Sequence, residues 1–136
     1  MHLLNVLDLL EGVQVIERKI FLAIMYSGLR MPQFRAMHFL EKSGRTTVSA
    51  LSRKLNVTRA TASVLVNELL KAGLIATVEN KSDRRSFYLE LTESGNKRLN
   101  SAREEISVVQ TNISRDLSKE TIRVMNDFSE TIKWKR

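Results

Sequence analysis

A short polar stretch of the sequence places three charged residues next to one another. Asp83, Arg84 and Arg85 lie in NKSDRR (80–85), between two strand-like runs rich in apolar and aromatic residues. Adjacent guanidinium groups repel each other, and an anion such as a phosphate that binds both would offset this repulsion. The alternative is that both arginines are solvated side chains at the tip of a hairpin.

Positive charge is concentrated in the middle of the chain. The protein has 136 residues and a formal net charge of +7, and residues 45–87 contain eight basic and three acidic residues. The flanking segments are nearly neutral. A basic module of this kind favours a polyanionic partner, because each neutralised phosphate releases counterions. Charge alone does not distinguish DNA from RNA or an anionic membrane surface.

The composition excludes several kinds of chemistry. The chain has no Cys and only two His, which excludes disulfides, thiol redox chemistry and thiolate metal sites. There is no phosphate-binding glycine loop and no constellation of polar residues typical of catalysis, so we expect no enzyme activity, metal or cofactor. The N-terminal segment carries Asp8 and no basic leader, and FLAIMY (21–26) is too short to cross a bilayer. We therefore expect a cytoplasmic protein with no membrane partner.

The N-terminal third of the chain has the apolar periodicity of two helices. Apolar residues spaced three and four apart over residues 6–23 predict a helix that ends near Gly28. Pro32 suits the first turn of a second helix, which we expect to span residues 32–42. We interpret His38 as a packed core histidine rather than a ligand. The predicted inward residues of the second helix are Phe34, Met37, His38 and Leu40.

A helix-turn-helix is predicted in the basic region. Thr47 is a suitable N-cap for a short helix, and Asn56 can turn the chain in a left-handed conformation. Thr58 can then cap a second helix, which we expect to span residues 58–72. We expect Val57, between the two helices, to pack inward. The other predicted core residues here are Val48, Leu51, Leu55, Ala62, Leu65, Val66, Leu69 and Leu70.

A hairpin and two further helices follow. LIATVE (74–79) and SFYLEL (86–91) have the composition of strands joined by a polar loop, which is typical of a wing beside a helix-turn-helix. Thr92 can cap a long helix, and a last helix is expected to begin near Ser118. The terminal helices carry more apolar surface than the module between them can cover, so we expect them to form a dimer interface. Trp134 would be an interface anchor or a half-exposed residue.

The order of these elements and several motifs resemble the MarR family of bacterial transcription regulators. LSRKLNVTRATASVLVNELLKAGLI (51–75) and DRRSFYLELTESG (83–95) contain the helix-turn-helix, an Asp-x-Arg wing and Leu-Thr-x-x-Gly. The resemblance implies a homodimer that binds a near-palindromic operator in double-stranded DNA. It also implies that Arg85 enters the minor groove and that Asp83 orients it. The chain departs from the family at Val64, where many members have arginine, and it lacks the cysteine of peroxide-sensing members.

The second helix of the helix-turn-helix (58–72) and the wing are therefore expected to contact DNA. A helix in the major groove reaches base edges with its N-terminal residues, so Arg59 could bind a guanine, or it could only anchor a phosphate. Ala60 could contact a thymine methyl, whereas Thr58 could serve only as a cap. A narrow AT-rich minor groove attracts an inserted arginine such as Arg85, and Arg84 would then face a phosphate. The residues expected to contact DNA are Thr58, Arg59, Ala60, Thr61, Ser63, Asp83, Arg84 and Arg85, with Arg45, Lys54 and Lys81 as further phosphate contacts. The alternative for Thr61, Ser63 and these three basic residues is that their side chains are only solvated.

The family resemblance also implies a class of effector. Members often bind small aromatic or phenolic anions between the dimerisation helices and the winged module. The segments that would line such a cleft contain several basic and aromatic residues, each of which could instead be a surface or core residue. These residues are Arg18, Lys19, Tyr26, Arg30 and His38.

The predicted fold is mainly α with a small β-hairpin wing, in a single domain covering residues 1–136. A winged helix-turn-helix (31–92) would be flanked by dimerisation helices (1–30 and 93–136). The predicted function is a dimeric, sequence-specific DNA-binding transcription regulator, and the resemblance favours a repressor over an activator. The alternative is a winged helix that binds other proteins without sequence-specific DNA binding. Such a module need not concentrate basic residues on both the recognition helix and the wing.

Overall fold

The computed structural model describes residues 1–133 of the chain. Within this range the chain forms six α-helices and one antiparallel hairpin, which confirms the predicted winged-helix fold. None of these helices is both long and apolar enough to cross a membrane. The helices are α1 (Val6–Ile24), α2 (Met31–Ser43), α3 (Val48–Leu55), α4 (Arg59–Lys71), α5 (Glu93–Arg115) and α6 (Lys119–Lys133), and the strands are β1 (Ile75–Glu79) and β2 (Phe87–Leu91).

Three threonines cap the two helices of the helix-turn-helix and the helix that follows the wing, as predicted. The Oγ1 atoms of Thr47, Thr58 and Thr92 each accept a backbone N–H from the third residue along, at 3.1, 3.1 and 3.0 Å. Each bond satisfies an N–H group that the start of a helix leaves without an intrahelical partner. The three caps therefore fix where α3, α4 and α5 begin.

Residues in the left-handed conformation end three helical segments. Gly28 (φ 75°) follows a 3-10 turn, Met25–Ser27, at the end of α1, and Gly73 (φ 73°) follows α4. Asn56 (φ 56°, ψ 48°) makes the tight turn between α3 and α4. Gly and Asn adopt this conformation more readily than other residues. These positions confirm the predicted ends of the helices.

The hydrophobic core joins α2, the helix-turn-helix, the hairpin and the first half of α5. Leu51 of α3, Leu69 of α4, Leu89 of β2 and Leu99 of α5 are completely buried in it. The prediction that these faces of α3 and α4 point into the core is therefore confirmed. Further core residues are Ala36, Met37, Leu40, Val48, Leu55, Ala62, Leu65, Val66, Leu74, Ile75 and Ala102, with Phe34 and Leu70 partly buried against them.

Two residues expected in the core lie nearer the surface. Val57 is 39% exposed, because the turn at Asn56 directs its N–H to the carbonyl of Ser52 (3.0 Å) and leaves its side chain at the rim of a cavity. His38 is only half-buried, and its ring stacks on that of Phe34 with 5.8 Å between the centroids. His38 thus lies at the edge of the core, and the prediction that it is packed within the core is wrong.

The hairpin is held against the helix-turn-helix by backbone hydrogen bonds. β1 and β2 pair antiparallel, with Thr77 opposite Leu89. Thr46, which precedes α3, donates its N–H to the carbonyl of Leu89 at 3.1 Å and accepts the N–H of Leu89 at 2.7 Å. This pair of bonds fixes the base of the wing next to the start of α3.

The terminal helices expose much of their apolar surface. Val6 and Leu7 of α1 are 63% and 71% exposed, and α6 has no buried residue among its described positions. An amphipathic helix normally buries its apolar face, so these surfaces are candidates for contact with another chain. Trp134, expected at such an interface, lies outside the described residues.

Candidate nucleic-acid interface

The N-terminal end of α4 presents short side chains to solvent. Thr58, Ala60 and Thr61 are exposed, and Ser63 is half-buried. The Thr58 hydroxyl accepts the N–H of Thr61 and donates to the Thr61 hydroxyl at 3.0 Å. The predicted cap is therefore present, and the small residues around it leave the first turn of α4 open to close approach by a partner.

Arg59 is oriented by the preceding helix. Its Nη1 donates a hydrogen bond to Oγ of Ser49 in α3, at 2.9 Å, while the side chain remains exposed. A hydrogen bond of this kind contributes only about 1.5–3 kcal/mol even when one partner is charged. Arg59 can therefore exchange the serine hydroxyl for a base or a phosphate, and in the free chain it links α3 to α4.

The structure brings Asp83 and Arg85 together at the tip of the wing. Oδ1 of Asp83 accepts the backbone N–H of Arg85 at 3.0 Å and lies 3.7 Å from Nε of its side chain. The Arg85 side chain is nevertheless 95% exposed, and Arg84 is exposed beside it. The carboxylate therefore constrains the arginine while leaving most of its guanidinium free to contact an anion.

Asn80, which the sequence pattern did not single out, organises the wing tip. Its side chain is buried, and Oδ1 accepts the N–H groups of Ser82 (3.1 Å) and Asp83 (3.3 Å). Its Nδ2 donates to Oγ of Ser86 at 3.1 Å. Asn side chains commonly bond to the backbone two residues further along. An Asn at the end of a strand-like run is therefore the signal that identifies this residue.

Two of the remaining basic residues are held by intramolecular contacts. Nε of Arg45 donates to Oε2 of Glu90 in β2 at 3.0 Å. Nζ of Lys54 lies 6.0 Å from the centroid of the Phe39 ring, the outer range of a cation–π contact. Lys81, on the wing, is exposed. A phosphate would have to compete with Glu90 for Arg45, which sequence reasoning did not foresee.

Two neighbouring cavities lie beside α2 and share Glu17, Met31 and Arg35 in their walls. The first, of about 630 Å³, is bordered by the ends of α2 and α3 and by one side of α4. The second, of about 550 Å³, lies between α1, α2 and α5. The cavities therefore connect the proposed DNA-contact helix to the terminal helices.

His38 and Arg103 join α2 to α5 in the wall of the second cavity. Nη2 of Arg103 lies 2.9 Å from Nδ1 of His38, and Nη1 lies 2.6 Å from Oε1 of Glu41. Arginine has no acceptor, so Nδ1 must be unprotonated in order to accept this bond. Burial, together with the positive charges of Lys42 and Arg103, lowers the pKa of His38 despite the opposing charge of Glu41. The imidazole is therefore neutral at neutral pH.

The residues expected to line an effector cleft are only partly brought together. Arg30 borders the first cavity, where it is ion-paired with Glu68 of α4, and His38 borders the second. Lys19 lines a third cavity of about 390 Å³, near the junction of α5 and α6. Arg18 and Tyr26 border none of these three cavities, and Tyr26 is 87% exposed.

Comparison with known sequences points to one family. The sequence profile of the MarR family matches residues 27–86. A curated relative, the HTH-type transcriptional regulator FarR of Neisseria gonorrhoeae, is 26% identical over 96 residues, which cover 71% of this chain and 66% of FarR. The match thus spans slightly less than two thirds of FarR. The relative is a regulator, which agrees with the expectation that the chain is not an enzyme.

Solved structures share the fold over nearly the whole chain. The transcriptional repressor CouR, bound to a 23-mer DNA duplex, has a TM-score of 0.87 at 19% identity, with 96% of this chain and 92% of CouR covered. NadR, in complex with 4-hydroxyphenylacetate, has a TM-score of 0.80 at 19% identity, with 99% of this chain and 96% of NadR covered. The winged-helix geometry, the profile match over residues 27–86 and these likenesses agree with the motifs found in the sequence, and all of them make the chain similar to the MarR family of winged-helix proteins.

Proposed function

We propose that the protein is a dimeric transcription regulator, acting as a repressor, that binds double-stranded DNA at a near-palindromic operator. The match of residues 27–86 to the MarR family profile and the likeness of the fold to a DNA-bound repressor support this proposal. The recognition helix (58–72) would lie in the major groove and the wing (80–86) in the minor groove, while residues 1–30 and 93–136 join two chains. Such a regulator would act on DNA in the cytoplasm.

The observation that carries the proposal is that two exposed elements suited to DNA contact are fixed to each other. Thr46 bridges β2 to the start of α3, and Ser49 in α3 bonds to Arg59 at the start of α4. A binding surface positioned on such supported elements is preorganised for its partner. Short residues at the start of α4 allow close approach to the major groove, whose edges distinguish all four base pairs. The contacts proposed there are Thr58, Arg59, Ala60, Thr61 and Ser63.

Arg85 is the proposed minor-groove contact. A narrow minor groove in AT-rich sequence has enhanced negative potential, and Arg85 is almost fully exposed while Asp83 constrains it. An exposed ion pair contributes only about 0–1 kcal/mol, so stability alone is a poor reason for this cluster. The proposed phosphate contacts are Arg84, Lys81, Arg45 and Lys54.

The apolar surfaces of α1 and α6 are the proposed dimer interface. Leu7 and Leu10 of α1 are 71% and 51% exposed, and Met125 and Ile132 of α6 are 40% and 52% exposed. Helices that expose several large apolar residues are candidates for contact with another chain. A two-fold dimer would present two recognition helices to half-sites separated by a whole number of DNA turns, which is why a near-palindromic operator is expected.

A small aromatic anion is the proposed effector. Phe34, His38 and Arg103 give the second cavity both aromatic and cationic walls, and its volume of about 550 Å³ is in the range of small-molecule sites. The Phe34 ring can stack on an aromatic ligand, and Arg103 can bind its carboxylate or phenolate. The ligand bound to NadR, 4-hydroxyphenylacetate, belongs to this class. Unchanged melting temperature and DNA affinity with millimolar aromatic acids would contradict this part of the proposal.

The alternative function is a winged helix that binds proteins without sequence-specific DNA binding. Selection of bound duplexes from a random pool separates the two functions. The proposed function predicts that a near-palindromic sequence is enriched. A plot of the logarithm of the binding constant against the logarithm of the salt concentration should have a slope of about −0.9 for each phosphate that the protein neutralises. No enrichment over random DNA, with no salt-dependent retention on heparin, would favour the protein-binding alternative.

A further inference from the structure

Val64 is the exposed large apolar residue of α4. It is 60% exposed, whereas the other large apolar residues of this helix are buried or partly buried. Valine is a weaker helix former than alanine or arginine, so helix stability does not explain its presence. An isolated exposed apolar residue is common on protein surfaces, and the position of Val64 is therefore what matters. The buried residues of α4 are Ala62, Leu65, Val66 and Leu69.

The position of Val64 is on the outer face of α4. At 3.6 residues per turn, Ala60, Val64 and Asn67 lie opposite the buried residues, and all three are exposed. Val64 also borders the first cavity together with Thr61 and Glu68, so it lies where that cavity meets the outer face. A recognition helix in the major groove turns its outer face toward the base edges. Val64, the residue of this face between Ala60 and Asn67, has no side-chain hydrogen-bond donor.

We infer that Ala60 and Val64 form an apolar strip that recognises thymine methyl groups, and that Val64 determines sequence specificity. The inference rests on the proposed function. The 5-methyl of thymine is the apolar group on the major-groove edge of the base pairs, so an apolar strip has a matching partner in one of the four bases. Residues four apart on a helix have Cβ atoms about 5–6 Å apart, and bases are spaced by about 3.4 Å along a strand. The strip therefore spans about two base-pair steps.

Uracil provides a direct probe, because it differs from thymine only in lacking the methyl group. The duplex selected by the wild-type protein from a random pool is remade with each thymine replaced in turn by uracil. Binding is measured for the wild type, for Val64→Ala, and for Val64→Thr, which keeps the branched shape but replaces one methyl by a hydroxyl. Unchanged melting temperatures of the two variants show that α4 is intact.

The expected result is position-specific. Uracil at one or two positions of each half-site should weaken wild-type binding about three- to fivefold, the effect of losing one methyl-sized apolar contact. Val64→Ala should weaken binding to the all-thymine duplex by a similar factor and should not respond to uracil at the position that faces Val64. Val64→Thr should show a reduced response at that same position.

Two different failures are distinguishable. If uracil has no effect on the wild type at any position, or has the same effect on the wild type and Val64→Ala, the inference is overturned while sequence-specific binding stands. If no duplex is enriched from the random pool, the proposed function is overturned and the inference falls with it.

Discussion

Replacing Gly95 by alanine should destabilise the fold at the junction of the wing with α5. A Cβ at this position would lie 2.0 Å from the carbonyl oxygen of Leu74 and 3.2 Å from Cδ2 of Leu91. The Leu74 oxygen belongs to the backbone and accepts the N–H of Thr92 at 3.1 Å, while the Thr92 hydroxyl donates to the Gly73 carbonyl at 2.7 Å. An added methyl must therefore displace α5 from β1 by on the order of 1 Å to reach an ordinary contact distance.

Two opposing effects determine how much Gly95→Ala changes the free energy of unfolding. Overpacking a well-packed site typically costs about 1–3 kcal/mol, and a clash with backbone belongs in the upper part of this range. The preference of a helix for alanine over glycine offsets about 0.5–1 kcal/mol of that cost. We therefore expect Gly95→Ala to lower the free energy of unfolding by about 1–2 kcal/mol. Gly12→Ala is the matched control, because a Cβ there meets no atom of its own chain within 4 Å, and we expect it to raise the free energy of unfolding by about 0.5–1 kcal/mol.

Denaturant unfolding of both variants and the wild type measures these changes. All three proteins must be compared at one concentration, because the stability of the proposed dimer would depend on concentration. The same chemical change should shift the unfolding midpoint down at Gly95 and up at Gly12. A Gly95→Ala protein as stable as the wild type would refute the close packing of α5 on Leu74.

Three further predictions concern the wing, the second cavity and the assembly. Asn80→Ala should loosen the wing tip and reduce the discrimination between AT and GC pairs beneath it, because it removes three hydrogen bonds. Ser86→Ala removes only one of these bonds and should reduce the discrimination less. Equal effects of the two variants on binding to matched AT and GC duplexes would argue against Asn80 as the residue that organises the wing tip. The lowered pKa of His38 means that the unfolded chain binds more protons than the folded chain between the two pKa values. The contribution of His38 to the free energy of unfolding should therefore be fully present above the usual histidine pKa of about 6.5 and be lost as pH falls through the folded-state pKa. Melting curves of His38→Gln at several pH values should lack this part of the decline. Sedimentation should give a mass near twice 15.6 kDa, and a monomer that still binds a palindromic duplex tightly would contradict the proposed dimer.

The boundaries of the helices were predictable from the sequence because their signals are local. Thr58 caps α4 through a residue three positions away, and Asn56 turns the chain through its own backbone conformation. The exposure of Val57 was not predictable in the same way, because it depends on where the turn at Asn56 directs the Val57 side chain. His38 likewise lies at the edge of the core because of Arg103, a residue of a helix far along the chain.

The partners within the candidate site were predictable only where they are close in sequence. Asp83 and Arg85 are two residues apart, and their contact follows from the motif. Arg45 bonds to Glu90, which lies on a strand of the wing, and local composition does not specify such a pair. The glycine of the Leu-Thr-x-x-Gly motif has a similar explanation, since Gly95 is required by the backbone of Leu74 from another element.

The claim that the wing reads the minor groove is tested most directly by binding of Arg84→Ala, Arg85→Ala and Asp83→Ala to duplexes with AT or GC pairs under the wing, at two salt concentrations. We predict that Arg84→Ala weakens binding to both duplexes alike and lowers the salt slope by about one. Arg85→Ala should also cost about 1–3 kcal/mol on the AT duplex and remove the preference for it, with Asp83→Ala showing the same effect in weaker form. Equal losses on the AT and GC duplexes for Arg85→Ala would contradict minor-groove reading and leave the two arginines as a phosphate clamp.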